Sequence, residues 1–194
     1  SRLYSMAYNI KDVFYLSTEA TIAASTSNGG SAQLDLSAYI DPIARGRQKG
    51  TGLAIYKAYF AVTQSNSDPI DDAEAGTFSY GLQAGLGIGD QATGAITTTS
   101  DAYKMTNALL VESGAFYGPK SQIANASTTV DMFPNTAVMP SKDVPYVVVR
   151  DNVCLTYNVK EQMVNETILS VRLECAQIAL DQATLNQLLR TQTV

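Results

Sequence analysis

Apolar and polar residues alternate in several windows of this chain, and a period of two is typical of β-strands with one buried face. The clearest windows are 12–22, 34–40, 53–63, 77–88, 146–159 and 168–178. Turn-forming residues separate them, among them the cluster 25–30 and Asp41–Pro42. The window 53–63 is apolar on both faces except at Lys57, which predicts a central strand or a strand at an interface.

The longest β-rich run extends from 146 to 159, and the segment 160–166 connects it to the window 168–178. The alternation predicts that the two strands pair as a hairpin with their apolar faces together. In that register Cys154 and Cys175 point to opposite faces, so a disulfide would need a bulge. We therefore expect two free thiols.

Two short helices are predicted from their capping residues. Ser100 and Asp101 are typical residues for the start of a helix that reaches about Val111. Asp181 is typical of the start of a second helix over 182–190, in which three leucines lie on one stripe.

About eight strands, two short helices, no repeats and no linker describe one all-β domain over residues 1–194, a sandwich or a barrel. A chain of this length buries enough surface to fold without a disulfide or a metal. The two ends, 1–11 and 180–194, are predicted to be an N-terminal arm and a C-terminal helix or arm. In an assembly, such ends would lie on neighbouring subunits.

The composition narrows the possible functions. Charged residues make up 16% of the chain, against about 25% in typical soluble domains, so its polarity comes mostly from hydroxyls and amides. The chain has no histidine, which excludes serine–histidine and cysteine–histidine catalysis and histidine-ligated metals. Two cysteines are too few for a four-cysteine zinc site. We therefore expect a protein that is not an enzyme and that carries no cofactor.

One acidic loop is the only candidate metal site in the sequence. Four carboxylates, Asp68, Asp71, Asp72 and Glu74, lie close together in the chain, and hard oxygen ligands of this kind suit Ca²⁺. Their spacing does not match that of an EF-hand loop. The alternative interpretation is a solvated turn, which Asp and Pro residues also favour.

One basic cluster, Arg45, Arg47 and Lys49, is a candidate contact with another subunit, and a solvated loop is the alternative. A lipid headgroup or a nucleic acid would also suit its charge. However, the net charge is −5 and the 13 basic residues are spread along the chain. This distribution argues against extensive contact with nucleic acid, since proteins that bind phosphate backbones concentrate their positive charge.

Two stretches in the first third of the chain carry a resemblance to a known family. The sequences AQLDLSAYIDP at 32–42 and GLAIYKAYF at 52–60 resemble the early strands of viral jelly-roll capsid proteins, and the long final strand 167–178 with a helix after Asp181 fits them too. The resemblance implies a jelly-roll sandwich whose loops and terminal arms contact neighbours in a shell. Many capsid proteins that package RNA have a basic N-terminal arm, whereas residues 1–11 contain only two basic residues. An inner face of such a shell would then meet a membrane or another protein.

Our leading hypothesis is a self-assembling structural protein, a capsid or shell subunit of a virion, whose partners are copies of itself and other shell proteins. The alternative is an extracellular β-sandwich module or appendage subunit that binds carbohydrate or protein. In that case some of the 11 tyrosines would provide the sugar platform that tryptophan, absent from this chain, often provides.

Overall fold

The structure, a computed structural model, describes residues 13–41, 49–85, 103–120 and 144–192. Eight strands and a C-terminal helix lie in these ranges: β1 (Phe14–Ile22), β2 (Gly29–Asp35), β3 (Lys49–Gln64), β4 (Thr77–Ala84), β5 (Leu110–Tyr117), β6 (Tyr146–Val148), β7 (Asn152–Glu161), β8 (Thr167–Asp181) and α1 (Gln182–Gln192). Within the described ranges, no helix has the length and apolar character needed to cross a membrane.

The strands form two antiparallel sheets of four strands. Their orders are β1-β8-β3-β6 and β2-β7-β4-β5, so most consecutive strands belong to different sheets. This is the strand order of a jelly roll, and it confirms the predicted all-β fold class. Apolar side chains from both sheets meet in one core, which includes Ile22, Leu53, Phe78, Leu155 and Leu173.

Three predicted strands are confirmed with small changes at their ends: 12–22, 53–63 and 168–178. The strand β3 lies between β8 and β6, as its two apolar faces predicted. The window 77–88 is a strand as far as Ala84.

The predicted strand over 34–40 is wrong for most of its length, since β2 ends at Asp35. The chain then turns, and the backbone N–H of Ile40 donates to the carbonyl of Leu36. Residues four apart lie on the same side of a helical turn. For this reason Leu36 and Ile40 are both buried even though they are not in a strand. The predicted turn at 25–30 is correspondingly too long, because β2 begins at Gly29.

The run 146–159 is not one strand, and its predicted hairpin with β8 is wrong. The run divides into β6 and β7, which belong to different sheets, and β8 lies in the sheet that does not contain β7. Cys154 and Cys175 are free thiols, as predicted, and both are buried. Burial raises the pKa of Cys154 to about 11 and that of Cys175 to about 12.

The predicted helix that reaches Val111 is also wrong within the described residues. Turns occupy 103–109, and β5 begins at Leu110. The cause is local, since the side-chain oxygen of Asn107 accepts the N–H of Leu109 at 3.1 Å. Asparagine favours such turns over a helix because its side chain competes for backbone N–H groups. Ser100 and Asp101 lie outside the described residues.

The helix α1 is confirmed, with its cap. The Asp181 carboxylate accepts the N–H of Thr184 at 2.7 Å. Leu185 is fully buried against the sheet. It packs on Gly50 of β3, which has no side chain to occupy this space. A Cβ added at Gly50 would lie 2.6 Å from a methyl of Leu185.

The last described residue, Gln192, attaches α1 to its own sandwich. The side-chain oxygen of Gln192 accepts the N–H of Val149 at 3.0 Å, and its amide nitrogen donates to the carbonyl of Val147 at 2.6 Å. Residues 180–192 of the predicted C-terminal arm are therefore packed on the same chain. The predicted N-terminal arm, 1–11, and residues 193–194 lie outside the described residues.

Candidate functional surfaces

A groove lies on the outer face of the sheet β1-β8-β3. We call it the tyrosine groove, and its outward-facing residues are Tyr15, Ser17, Tyr59, Ala61, Ser170 and Arg172. It encloses about 590 Å³, which falls within the usual range for ligand sites. The groove exists because three neighbouring strands each turn alternate residues outward.

The strand register brings the groove residues together. Ser17 of β1 and Tyr59 of β3 both pair with Arg172 of β8. Tyr15 pairs with Glu174 in the next outward-facing row. Strands two apart in a sheet are separated by about 9.6 Å, so the two tyrosines border a channel over β8.

One wall of the groove is held in place by its neighbours. The hydroxyl of Tyr59 donates to the Glu174 carboxylate at 3.0 Å, and this bond raises the pKa of Tyr59. The Lys57 ammonium lies 4.9 Å from the centre of the Tyr59 ring, a cation–π distance. The ring of Tyr59 is therefore fixed while 44% of the residue stays exposed.

The groove also contains the exposed cation Arg172, whose guanidinium forms no hydrogen bond or ion pair with another described residue. Two aromatic rings, serine hydroxyls and a guanidinium thus face the same space. Rings of this kind pack against the apolar faces of sugars, and a guanidinium binds carboxylate or phosphate.

A second surface is the end of the sandwich at which the loops 23–28, 65–76 and 162–166 meet. The N–H of Ser25 donates to the carbonyl of Met163 at 2.8 Å, and that of Ser65 donates to the carbonyl of Glu166 at 3.2 Å. We call this surface the loop end. Backbone bonds between loops give it a fixed shape.

The acidic side chain at the centre of the loop end is Glu74, which is 1% exposed. Its two oxygens accept the N–H of Val164 at 2.7 and 3.1 Å and that of Asn165 at 3.4 Å. Its backbone carbonyl also accepts the N–H of Lys120 at 2.9 Å. Glu74 therefore joins three segments of the chain, and its carboxylate is occupied by backbone groups.

Of the other three predicted calcium ligands, Asp72 lies in a turn, and the remaining two accept hydrogen bonds within their own loop. The carboxylate of Asp68 accepts the Asn66 side-chain amide at 2.6 Å. The carboxylate of Asp71 accepts the N–H of Ala73 at 3.0 Å, a bond that lowers its pKa. Across the described ranges, no three residues of the types His, Cys, Asp and Glu are grouped so as to hold a metal ion.

The structure gives little on the predicted basic contact. Arg45 and Arg47 lie outside the described residues, and Lys49 is the first residue of β3, where it pairs with Asp181. Sequence reasoning missed the tyrosine groove. Alternation could place Tyr15, Tyr59 and Arg172 on outward faces, but it does not say which strands are neighbours.

No protein-family model and no curated protein matches this chain. The chain is similar in fold to solved structures of the polyomavirus capsid protein VP1. New Jersey polyomavirus VP1 shares 9% identity at a TM-score of 0.39 and covers 87% of this chain and 100% of its own. VP1 of human polyomavirus 12, solved with 3'-sialyllactosamine, shares 8% identity at a TM-score of 0.36. The similarity covers 87% of this chain and 99% of that VP1 chain.

VP1 of trichodysplasia spinulosa-associated polyomavirus, solved with sialylated glycooligomers, shares 8% identity at a TM-score of 0.33 and covers 90% of this chain and 97% of its own. These similarities concern the fold alone.

Proposed function

We propose that the protein is a self-assembling structural subunit of a viral capsid or shell. The observation that carries the proposal is the strand order, β1-β8-β3-β6 against β2-β7-β4-β5. Eight-stranded jelly rolls of this kind occur in viral capsids, in lectins and in cupins. Cupins generally hold a metal through histidine, and this sequence has none. Capsid subunits and lectins remain, and neither class needs catalytic residues.

The rigidity of the body supports a shell subunit. A shell repeats the same contacts many times, so the surfaces that make them must keep one shape. Glu74 ties the loop end together, and Gln192 ties α1 to the sandwich. These two sets of hydrogen bonds fix a loop and a terminal helix, which are the kinds of segment that are often poorly ordered.

Exposed apolar side chains supply candidate contacts between subunits. At the loop end Val164 is 52% exposed, on a backbone that Glu74 holds in place. Val144 and Met105 are also exposed. Burying such side chains against another copy would contribute roughly 25 cal/mol for each Å² of apolar surface.

The finer parts of the proposal concern partners and place. Copies of this chain are the first partners, and other shell proteins or an underlying membrane are the next. The basic cluster Arg45, Arg47 and Lys49 is proposed to contact an acidic surface of a neighbouring subunit. The location that follows is the virion.

The test of assembly is mass photometry of the purified chain over a series of salt and protein concentrations, with negative-stain imaging of large species. We expect closed shells, rings or sheets. A 20.7 kDa monomer under every condition would overturn the proposal.

A pair of variants tests the loop end as a contact. Val164→Asp puts a charge in the proposed interface. The protein concentration at which assembly begins should therefore rise at least tenfold. Gln187→Glu adds a charge on the exposed face of α1 and serves as the control. Equal assembly of both variants and the wild type would remove Val164 from the interface.

A second function, carbohydrate binding, is favoured by the tyrosine groove. Its rings at Tyr15 and Tyr59, its serine hydroxyls and the cation Arg172 are the groups that a sugar site uses. The groove is proposed to take one sugar ring over β8, in the channel between the two tyrosines.

A glycan array with and without Ca²⁺ tests this second function. Tyr15→Ala combined with Tyr59→Ala should abolish binding, whereas Gln187→Glu should not change it. Assembly measured on the same double variant separates the two functions, because a sugar site can be lost without loss of the shell. An array without hits in either condition would refute carbohydrate binding.

A further inference from the structure

A carboxylate that the proposed function does not use lies inside the sandwich. Glu112 of β5 pairs with Leu82 of β4, whose side chain is in the core, so Glu112 also points between the sheets. The residue is 3% exposed. The two sheets therefore enclose an ionisable group on the side of the sandwich where β5 is the edge strand.

The carboxylate of Glu112 reaches across to the other sheet. One hydrogen bond comes from the backbone N–H of Ala58 in β3, directly after the bulge between Ile55 and Lys57. Within the described residues, β6 pairs with β3 only at positions 53–55. At Ala58, therefore, this edge of β3 has no described strand beside it. Glu112 thus joins the edges of two sheets at a place where backbone pairing does not.

The surroundings of Glu112 do not compensate a full negative charge. Its Oε2 atom has no hydrogen-bond partner among the described residues, although it is buried. The ring of Tyr80, from β4, packs 4.8 Å from that of Phe60 and lies near the carboxylate. Among the described residues, the cation that acts on Glu112 is Lys57, whose side chain is exposed to solvent.

We infer that Glu112 is a proton-controlled latch between the two sheets, which holds β5 against β3 when it is protonated and loosens that side of the sandwich when it is ionised. The inference does not depend on the proposed function. A neutral carboxyl is tolerated between the sheets, whereas an ion with one hydrogen bond is costly there. Burial raises the pKa of Glu112 to about 7, even though the Ala58 N–H and Lys57 both favour the ion.

The direction of the effect follows from linkage. The pKa of Glu112 is about 7 in the folded protein, against 4.5 for an unperturbed glutamate. As the pH rises from 4.5 to 7 the unfolded chain loses this proton first, so stability falls, and above 7 the loss is complete. Each unit of pKa difference is a factor of ten in the unfolding equilibrium.

The test is hydrogen exchange of the full chain at pH 6 and pH 8, corrected for the intrinsic dependence of exchange on pH. In the wild type, the protection of peptides from β5 and from residues 57–64 should be about tenfold lower at pH 8 than at pH 6. In Glu112→Gln, which cannot ionise, that fall should disappear. Glu19→Gln makes the same chemical change at an exposed position and should behave as the wild type.

A second measurement covers the case in which Glu112→Gln does not fold. The side-chain carboxyl carbon of Glu112 can be followed by NMR during a pH titration of the wild type. A midpoint near neutral pH supports the latch, and a midpoint near 4.5 overturns it. Equal loss of protection in the wild type and in Glu112→Gln would overturn it as well.

Discussion

Two buried glutamates, Glu74 and Glu112, each bridge parts of the chain that are distant in sequence, and their surroundings differ. At the loop end, Glu74 accepts backbone N–H groups from both Val164 and Asn165. Between the sheets, Glu112 has one N–H and an oxygen without a described partner. The difference shows that two equally buried carboxylates can differ in how many hydrogen-bond donors satisfy their oxygens.

The largest expected effect comes from removing the better satisfied carboxylate. Glu74→Ala leaves the partly buried N–H groups of Val164 and Asn165 without an acceptor. Each such group costs about 1–3 kcal/mol, so we expect a loss of about 3 kcal/mol in the free energy of unfolding. Denaturant unfolding measures it, with the exposed residue Asp68→Ala as the control. A change below about 1 kcal/mol would show that Glu74 does not hold the loop end.

Glutamine substitutions sharpen the comparison because they should act with opposite signs at pH 8. Glu74→Gln puts a donor where an acceptor is needed and should destabilise the protein by about 1–2 kcal/mol. Glu112→Gln removes a buried charge and should stabilise it by about 1–2 kcal/mol. Unfolding of both variants at pH 8 measures the two signs, and two changes of the same sign would contradict the comparison.

Removing the hydrogen bonds that attach α1 to the sandwich should lower the free energy of unfolding by an intermediate amount, and no charged group is involved. Gln192→Ala removes two bonds to buried backbone groups of 147–149 and should cost about 1–2 kcal/mol. Since no ionisable group is removed, the loss should be the same at pH 6 and pH 8. A loss that changes with pH would show that the pH effect assigned to Glu112 has another source.

The smallest effect concerns the cation next to Glu112. Lys57→Gln removes a charge that favours the ionised carboxyl, so the pKa of Glu112 should rise further. Because Lys57 is exposed, solvent screens it and the shift should be a few tenths of a unit. The NMR titration of Glu112 measures it. A downward shift would contradict the arrangement described here.

The sequence predicts different amounts about the tyrosine groove and about the two buried glutamates. Alternation gives the outward-facing positions of Tyr15 and Tyr59, but the groove also needs β1 and β3 to flank β8, and no local pattern shows that. The carboxylate of Glu74 was assigned to a candidate calcium loop, because an acidic run looks the same whether solvent or backbone N–H groups surround it. Glu112 follows two leucines and a valine, and this apolar run indicates that its segment is buried.

What the sequence determined was local. The period of two set β1, β3 and β8, the Asp181 cap set the start of α1, and the absence of histidine excluded histidine-dependent catalysis and histidine-ligated metals. The tertiary structure decided which strands are neighbours, so that β7 and β8 lie in different sheets. It also decided the chemistry of each buried carboxylate. The reason is physical, since alternation records which face of a strand is buried, whereas strand order and desolvation depend on contacts between residues far apart in the chain.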